Sequence, residues 1–424
     1  MRIEKRQIEQ HNDGVYDEHA LRLEQLLVQR PSARLAIPLL EAFQVAIPSW
    51  ALGAGGTRFG RFSIGGEPGN LTQKLEDIGL LHALNRSSGA VSLHIPWDIP
   101  SDPEAIRKLA QSLDIRFDAV NSNTFQDQEG HQHSYKYGSL QHVNKATRQQ
   151  AIAHNLEVIQ YGQALGSTAL TVWLSDGSNF PGQLNFRKAF QYVHESLSEI
   201  YSALPESWRL LIEYKAFEPN YYSMTVGDWG QSLLLANKLG NKAFTLVDLG
   251  HHLPNANIEQ IVSLLLMEKK LGGFHFNDSK YGDDDLTVGS IRPYQLFLIF
   301  QELVEGMNAQ GMNHANDLAW MIDASHNIKD PLEDLLQSVE AIQLAYAQAL
   351  LVDAEALESA RISNDTVLAQ EILQDAFRSD LRPLIAEVRR KKGGALYPLQ
   401  LYRNLNVREN LIKERGIISK ATGL

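Results

Sequence analysis

Residues 244–252 read Phe244-Thr245-Leu246-Val247-Asp248-Leu249-Gly250-His251-His252: an apolar run that ends on a carboxylate, a turn glycine and two imidazoles. A run without polar–apolar alternation predicts a strand buried on both faces, as in a parallel sheet. Seven similar runs recur, each leading into a turn and a stretch of helical period: Val45–Ile47, Val91–Ile95, Phe117–Val120, Leu170–Trp173, Leu210–Tyr214, Phe274–Asn277 and Trp320–Asp323. Eight strand–helix units predict an α/β fold, a (β/α)₈ TIM barrel, whose body needs about 250 residues.

The intervening helices carry their own signals. Ile152, Leu156 and Ile159 share one face of a helix from about Lys145 to Leu165. Asp330 is suited to cap a helix that starts at Pro331 and buries Leu335, Val339, Ile342 and Tyr346. The expected organisation is an N-terminal helical segment (1–43), the barrel (44–354) and a C-terminal helical extension (355–424) split near Gly393-Gly394. A doubly wound open sheet competes poorly, because no phosphate-binding glycine fingerprint opens a helix after the first strand.

Composition removes several function classes. There is no cysteine, so disulfides, thiolate metal sites and thiol nucleophiles are out, and any metal must be held by His, Asp and Glu. Met1 to Gly14 holds no apolar core of signal-peptide length, and no apolar run is long enough for a transmembrane helix; a cytoplasmic protein with no membrane partner is expected. The net charge of −11 argues against nucleic acid. The segment Arg378–Lys420, with eleven Lys/Arg and four Asp/Glu, departs from this balance and reads as a solvated or subunit-facing helical tail.

Barrel enzymes place their chemistry at the carboxyl ends of the strands. Here the polar residues fall at those ends: Glu213 and Lys215 on one face of the fifth strand, Asp248, His251 and His252 after the sixth, His275 and the Asp283–Asp285 run after the seventh, Asp323 and Ser325 after the eighth. Singly, each could be a helix cap or a solvated loop residue. Together they would repel one another unless cations neutralise them, and Lys215 supplies one charge only. Two divalent ions would bring five carboxylates near neutrality. Oxygen ligands with some imidazole suit Mn²⁺, the expected ion, or Co²⁺, Mg²⁺ or Zn²⁺.

Longer stretches carry a resemblance. Pro48-Ser49-Trp50, Ser92-Leu93-His94-Ile95-Pro96-Trp97-Asp98, Asn121-Ser122-Asn123-Thr124-Phe125, Thr171-Val172-Trp173, Val247–His252 and Gly273–Asp285 resemble the xylose isomerase-type barrels, and specifically the broad-specificity bacterial L-rhamnose isomerases, from about Val45 to Leu351. The resemblance implies a metal-dependent aldose–ketose isomerase acting by hydride shift. It implies that Glu213, Asp248, His275 and Asp323 hold one ion, and that Asp248 bridges to a second held also by His251, Asp283 and Asp285. Lys215 would hydrogen-bond O1, and His94, braced by Asp98, would assist ring opening at O5. Asp323 and Ser325 join Lys215, His94 and Asp98 as catalytic candidates. His275 departs from the xylose isomerases, which usually carry a carboxylate there.

Trp97, Phe125 and Trp173 read either as core aromatics or as a dry wall around the sugar. The glycine-rich stretch 53–69 lacks the Gly-Lys-Ser/Thr ending of a phosphate loop and reads as a lid. By the resemblance, this lid reaches a neighbouring subunit's site in a homotetramer and brings Phe59 or Phe62 to the substrate. The expected partner is a small sugar. The competing functions are a metal-dependent phosphodiesterase of the apurinic endonuclease kind on the same barrel, and a catalytically inactive sugar-binding protein.

Overall fold

The computed structural model describes residues 1–53, 62–218, 223–324 and 328–417. Among these residues, ten strands occur in chain order: β1 (Ala46–Pro48), β2 (Ala90–Ile95), β3 (Arg116–Ser122), β4 (Ala169–Trp173), β5 (Gly177–Ser178), β6 (Arg209–Glu213), β7 (Ser223–Met224), β8 (Ala243–Asp248), β9 (Leu271–Phe276) and β10 (Ala319–Ile322). Eight of them close into a parallel barrel in the order β1-β2-β3-β4-β6-β8-β9-β10. These are the eight strands the apolar runs predict. The antiparallel ladder of β5 with β7 is additional, and its two-residue strands are too short to leave a periodic signal.

Side chains alternate across each strand. One set fills the barrel interior with small residues, Ala46, Ala90, Ala119, Ala169 and Ala319, together with Leu211, Leu246 and Met321. The other set, including Ile47, Val91, Val120, Leu170, Ile212 and Val247, packs outward against the helices. At Gly273 an added Cβ would lie 2.3 Å from the Ala319 carbonyl oxygen, so only glycine lets β9 and β10 approach this closely, two residues before His275. Register then aligns the strand ends: Trp173 pairs with Glu213, and Asp248 with His275.

The helix Lys145–Leu165 has the predicted bounds. In the helix Pro331–Leu350, Asp330 accepts the Leu332 N–H, and Leu335, Val339, Ile342 and Tyr346 are all buried. Before the barrel come the helix Lys5–Gln29 and shorter turns to Ala42; after it come five helices between Ala354 and Arg415. Asn12 joins the two ends of the chain, donating to the Gly394 carbonyl (2.9 Å) and accepting from the Leu396 N–H (2.8 Å).

Several basic residues of the C-terminal segment pair with acidic residues of the body. Arg408 pairs with Asp330 at 2.5 Å and Arg415 with Asp77 at 2.8 Å, while Arg389 meets Glu340 and Arg403 meets Glu333. Among the described residues, no single helix is long and apolar enough to cross a membrane.

Candidate metal centre

Glu213 ends β6, Asp248 ends β8, His275 lies in β9 and Asp323 follows β10, so four neighbouring strands deliver four side chains to one point. His275 Nδ1 faces all three carboxylates, at 3.0 Å from Glu213 Oε1, 3.7 Å from Asp323 Oδ2 and 3.9 Å from Asp248 Oδ2. Ligands placed about 2.1 Å from one ion lie at such separations from each other. The four offer atoms that all lie within 4.8 Å of one another.

The local bonding fits an ion. Asp248 Oδ1 is satisfied by the Gly250 N–H (2.7 Å) and Asn277 Nδ2 (2.8 Å). Its Oδ2 is buried without a hydrogen-bond partner, as is His275 Nε2. Burial, reinforced by the Glu213 and Asp323 charges, pushes Asp248 well above the usual carboxylate range. Burial alone would lower His275, but the Glu213 carboxylate, followed by Asp323 and Asp248, raises it to about 9. Both shifts favour added positive charge in the cluster, which a divalent cation would supply.

Asp248, His251 and Asp283 form a second group with ligand atoms within 4.8 Å. His251 Nδ1 lies 3.0 Å from the Tyr214 carbonyl and so carries the proton, while Nε2 is turned toward Asp283 Oδ1 at 3.1 Å. Asp285 lines the same cavity without joining that tighter group. Asp283 and Asp285 both adopt the left-handed conformation (φ 52° and 48°), which aspartate tolerates better than most residues. Lys215 pairs with Asp283 and with Glu218.

The cavity over these groups measures about 630 Å³, within the range of small-molecule sites. One side is aromatic. The His94 ring stacks on Trp97 at 4.0 Å, Phe125 meets Trp173 at 4.8 Å, and the Lys215 ammonium sits 5.5 Å from the centre of the Trp173 ring. Trp97, Phe125 and Trp173 therefore line the cavity instead of the core. His94 is buried with Nδ1 unpartnered, and burial lowers it to about 3, so its ring is neutral.

Asp98 does not brace that ring. Its carboxylate accepts the His94 backbone N–H (2.8 Å), the Lys74 ammonium (2.6 Å) and the Ser49 hydroxyl. The four-residue spacing is a turn, closed also by the Asp98 N–H on the His94 carbonyl, and this turns the carboxylate toward backbone. Ser325 and Phe59 lie outside the described residues. Phe62 is 61% exposed and is not part of the wall of its own chain's cavity.

Sequence reasoning missed three contributors. Trp50 donates its indole N–H to Asp323 Oδ1 at 2.8 Å, Lys74 neutralises Asp98, and Glu218 places a further carboxylate against Lys215. Pro48-Ser49-Trp50 stood out as a stretch, but nothing in it points to a residue 273 positions away.

A family model described as a xylose isomerase-like TIM barrel matches residues 86–324. A probable sugar isomerase of Rhizobium meliloti is 52% identical over 382 residues, covering 90% of this chain and 88% of its own. A probable sugar isomerase of Mesorhizobium japonicum is 50% identical over 386 residues, covering 91% and 89%. Among solved structures, a 3-keto-D-glucoside 4-epimerase of E. coli superposes with a TM-score of 0.50 at 11% identity, over 72% of this chain and 98% of the other, a likeness of fold.

Proposed function

We propose that this chain, which belongs to the xylose isomerase-like TIM barrel family, interconverts an aldose and its 2-ketose with two divalent cations, L-rhamnose and L-rhamnulose being the pair that its motifs favour. The observation that carries this reading is the buried Glu213–Asp248–His275–Asp323 cluster, in which Asp248 Oδ2 lacks a hydrogen-bond partner, with Asp248 shared by a second group. The names of the two half-identical relatives support the same class of reaction.

Glu213, Asp248, His275 and Asp323 would hold one cation and Asp248, His251, Asp283 and Asp285 the other, Mn²⁺ being the expected ion; bound there, such ions act as Lewis acids toward the sugar's oxygens. In the reaction a hydride passes from C2 to C1 of the open-chain sugar, O2 loses its proton and O1 gains one. Lys215 donates to O1, where negative charge develops. His94, neutral and stacked on Trp97, meets the ring oxygen of the cyclic form with an uncharged imidazole. Trp97, Phe125 and Trp173 keep water from the reacting carbons. A homotetramer in the cytoplasm, with Phe59 or Phe62 closing a neighbour's cavity, completes the reading.

The test is to remove divalent cations, restore Mn²⁺ and assay a panel of aldoses for ketose formation. Ketose from at least one aldose is the expected result. Binding of sugars without turnover would identify a binding protein, and salt-dependent cleavage of abasic DNA a phosphodiesterase.

A further inference from the structure

We infer that Trp50 is a positioning residue for the cation of the four-residue cluster: its indole N–H takes one oxygen of Asp323 and leaves the other to the ion. The inference rests on the cation reading of that cluster.

Asp323 is the member of the cluster most in need of orientation. Its side chain is 22% exposed, against 4% for Glu213, 2% for His275 and none for Asp248. It also lies just past the end of β10, where the barrel ladder no longer holds the backbone, although its N–H still reaches the Phe276 carbonyl at 2.9 Å. The 2.8 Å bond from Trp50 Nε1 fixes Oδ1, and Oδ2 is the oxygen that faces His275. A hydrogen bond to an ionised carboxylate is stronger than one between neutral groups.

Trp50 is itself held in place. It sits in the helical turn Ser49–Leu52 that follows β1. The neighbouring Ser49 hydroxyl bonds Asp98, whose other oxygen meets Lys74 at 2.6 Å, and the Lys74–Asp98 pair is almost wholly buried. The indole packs edge-on against His94 at 5.5 Å. A buried ion pair therefore sets the turn, the turn sets the indole, and the indole sets the ligand. Asp98, expected to serve His94, serves the metal centre through this path.

The competing role for Trp50 is a wall of the sugar cavity, which it also lines. A wall residue alters sugar KM and leaves cation affinity in sugar-free buffer unchanged. The experiment is a Mn²⁺ titration of the full chain, freed of cations and without sugar, following free Mn²⁺ by electron paramagnetic resonance in the parent and in Trp50→Phe. The expected result is that one of two binding classes weakens by about 10–100-fold, the usual effect of losing a ligand's supporting hydrogen bond. The other class and the melting temperature of the cation-free chain should stay as in the parent. Should Trp50→Phe not fold, Trp50→Tyr carries the same test, since a para hydroxyl does not replace a donor on the indole's five-membered edge. Unchanged affinity in both classes would overturn the role of Trp50 while leaving the cation reading intact. A parent chain that binds no Mn²⁺ would overturn the cation reading and this inference with it.

Discussion

Lys215 and Asp283 form a buried ion pair that ties the end of β6 to the Asp283–Asp285 loop. The ammonium thus stands beside one of the proposed cation ligands and could act as a charge balancer or as a donor to the substrate. Lys215→Met removes the charge and keeps much of the length. A donor role predicts full cation loading with turnover reduced on the order of 10²-fold, as for loss of one oxyanion-type donor. Metal analysis beside single-turnover kinetics checks it. Poor metal loading with normal turnover per loaded site would make Lys215 a balancer.

Asp248 belongs to both ligand groups, Asp323 to one and Asp285 to neither of the tight clusters. Asp248→Asn should therefore abolish retention of both cations. Asp323→Asn should weaken retention of one cation together with turnover, and Asp285→Asn should mainly lower kcat. Ion counts by plasma mass spectrometry after gel filtration test the order. Equal losses in all three variants would contradict the two-site assignment.

Cations that bind the folded chain alone stabilise it. At a free concentration of 100 times Kd the gain is about 2.7 kcal/mol per site. Exhaustive dialysis against a chelator should accordingly lower the melting temperature as well as abolish activity, and Mn²⁺ should restore both. A melting temperature indifferent to chelation and Mn²⁺ would speak against resident cations.

Much of this molecule is legible before folding. The barrel strands are continuous apolar runs, and β8 and its seven partners appear where those runs predict. The cluster Glu213, Asp248, His275 and Asp323 is legible because barrel chemistry gathers at strand ends. What could not be read is the bonding between distant segments. Lys74 lies on a helix and Asp98 in a turn, and only the packed fold shows them as one buried pair. The resemblance implied that Asp98 braces the His94 ring, but sequence distance does not say whether a carboxylate meets a side chain or the backbone. The pairing of Arg408 and Arg415 was hidden for the same reason: their acidic partners, Asp330 and Asp77, lie far upstream.

His82 and His94 are among the histidines buried in neutral form, and the acid limb of stability should show it. Burial, helped by Arg86, lowers His82 from 6.5 to about 4, and burial lowers His94 to about 3. The unfolded chain takes up these protons near pH 6.5 while the folded chain refuses them, so stability is complete above that pH and falls on acidification toward the folded values. For His82 the loss amounts to roughly 3 kcal/mol. Urea midpoints at pH 7 and pH 4.5 should therefore differ less for His82→Leu than for the parent. An identical acid slope in both proteins would contradict a neutral buried His82.

The route of the hydrogen at C2 can be followed directly. An aldose carrying deuterium at C2 should yield ketose with the deuterium at C1, as a hydride shift requires. Loss of the label to water would instead indicate an enediol and a general base near C2. Proton nuclear magnetic resonance of the product distinguishes the two.

The most direct test of cation-dependent isomerisation is ketose formation from L-rhamnose and other aldoses by three preparations: the cation-free chain, the same chain with Mn²⁺ restored, and Asp248→Asn with Mn²⁺. Ketose should form in the second preparation and be absent from the first and third. Equal ketose formation in all three, or none from any aldose by a folded, Mn²⁺-loaded chain, would contradict the account.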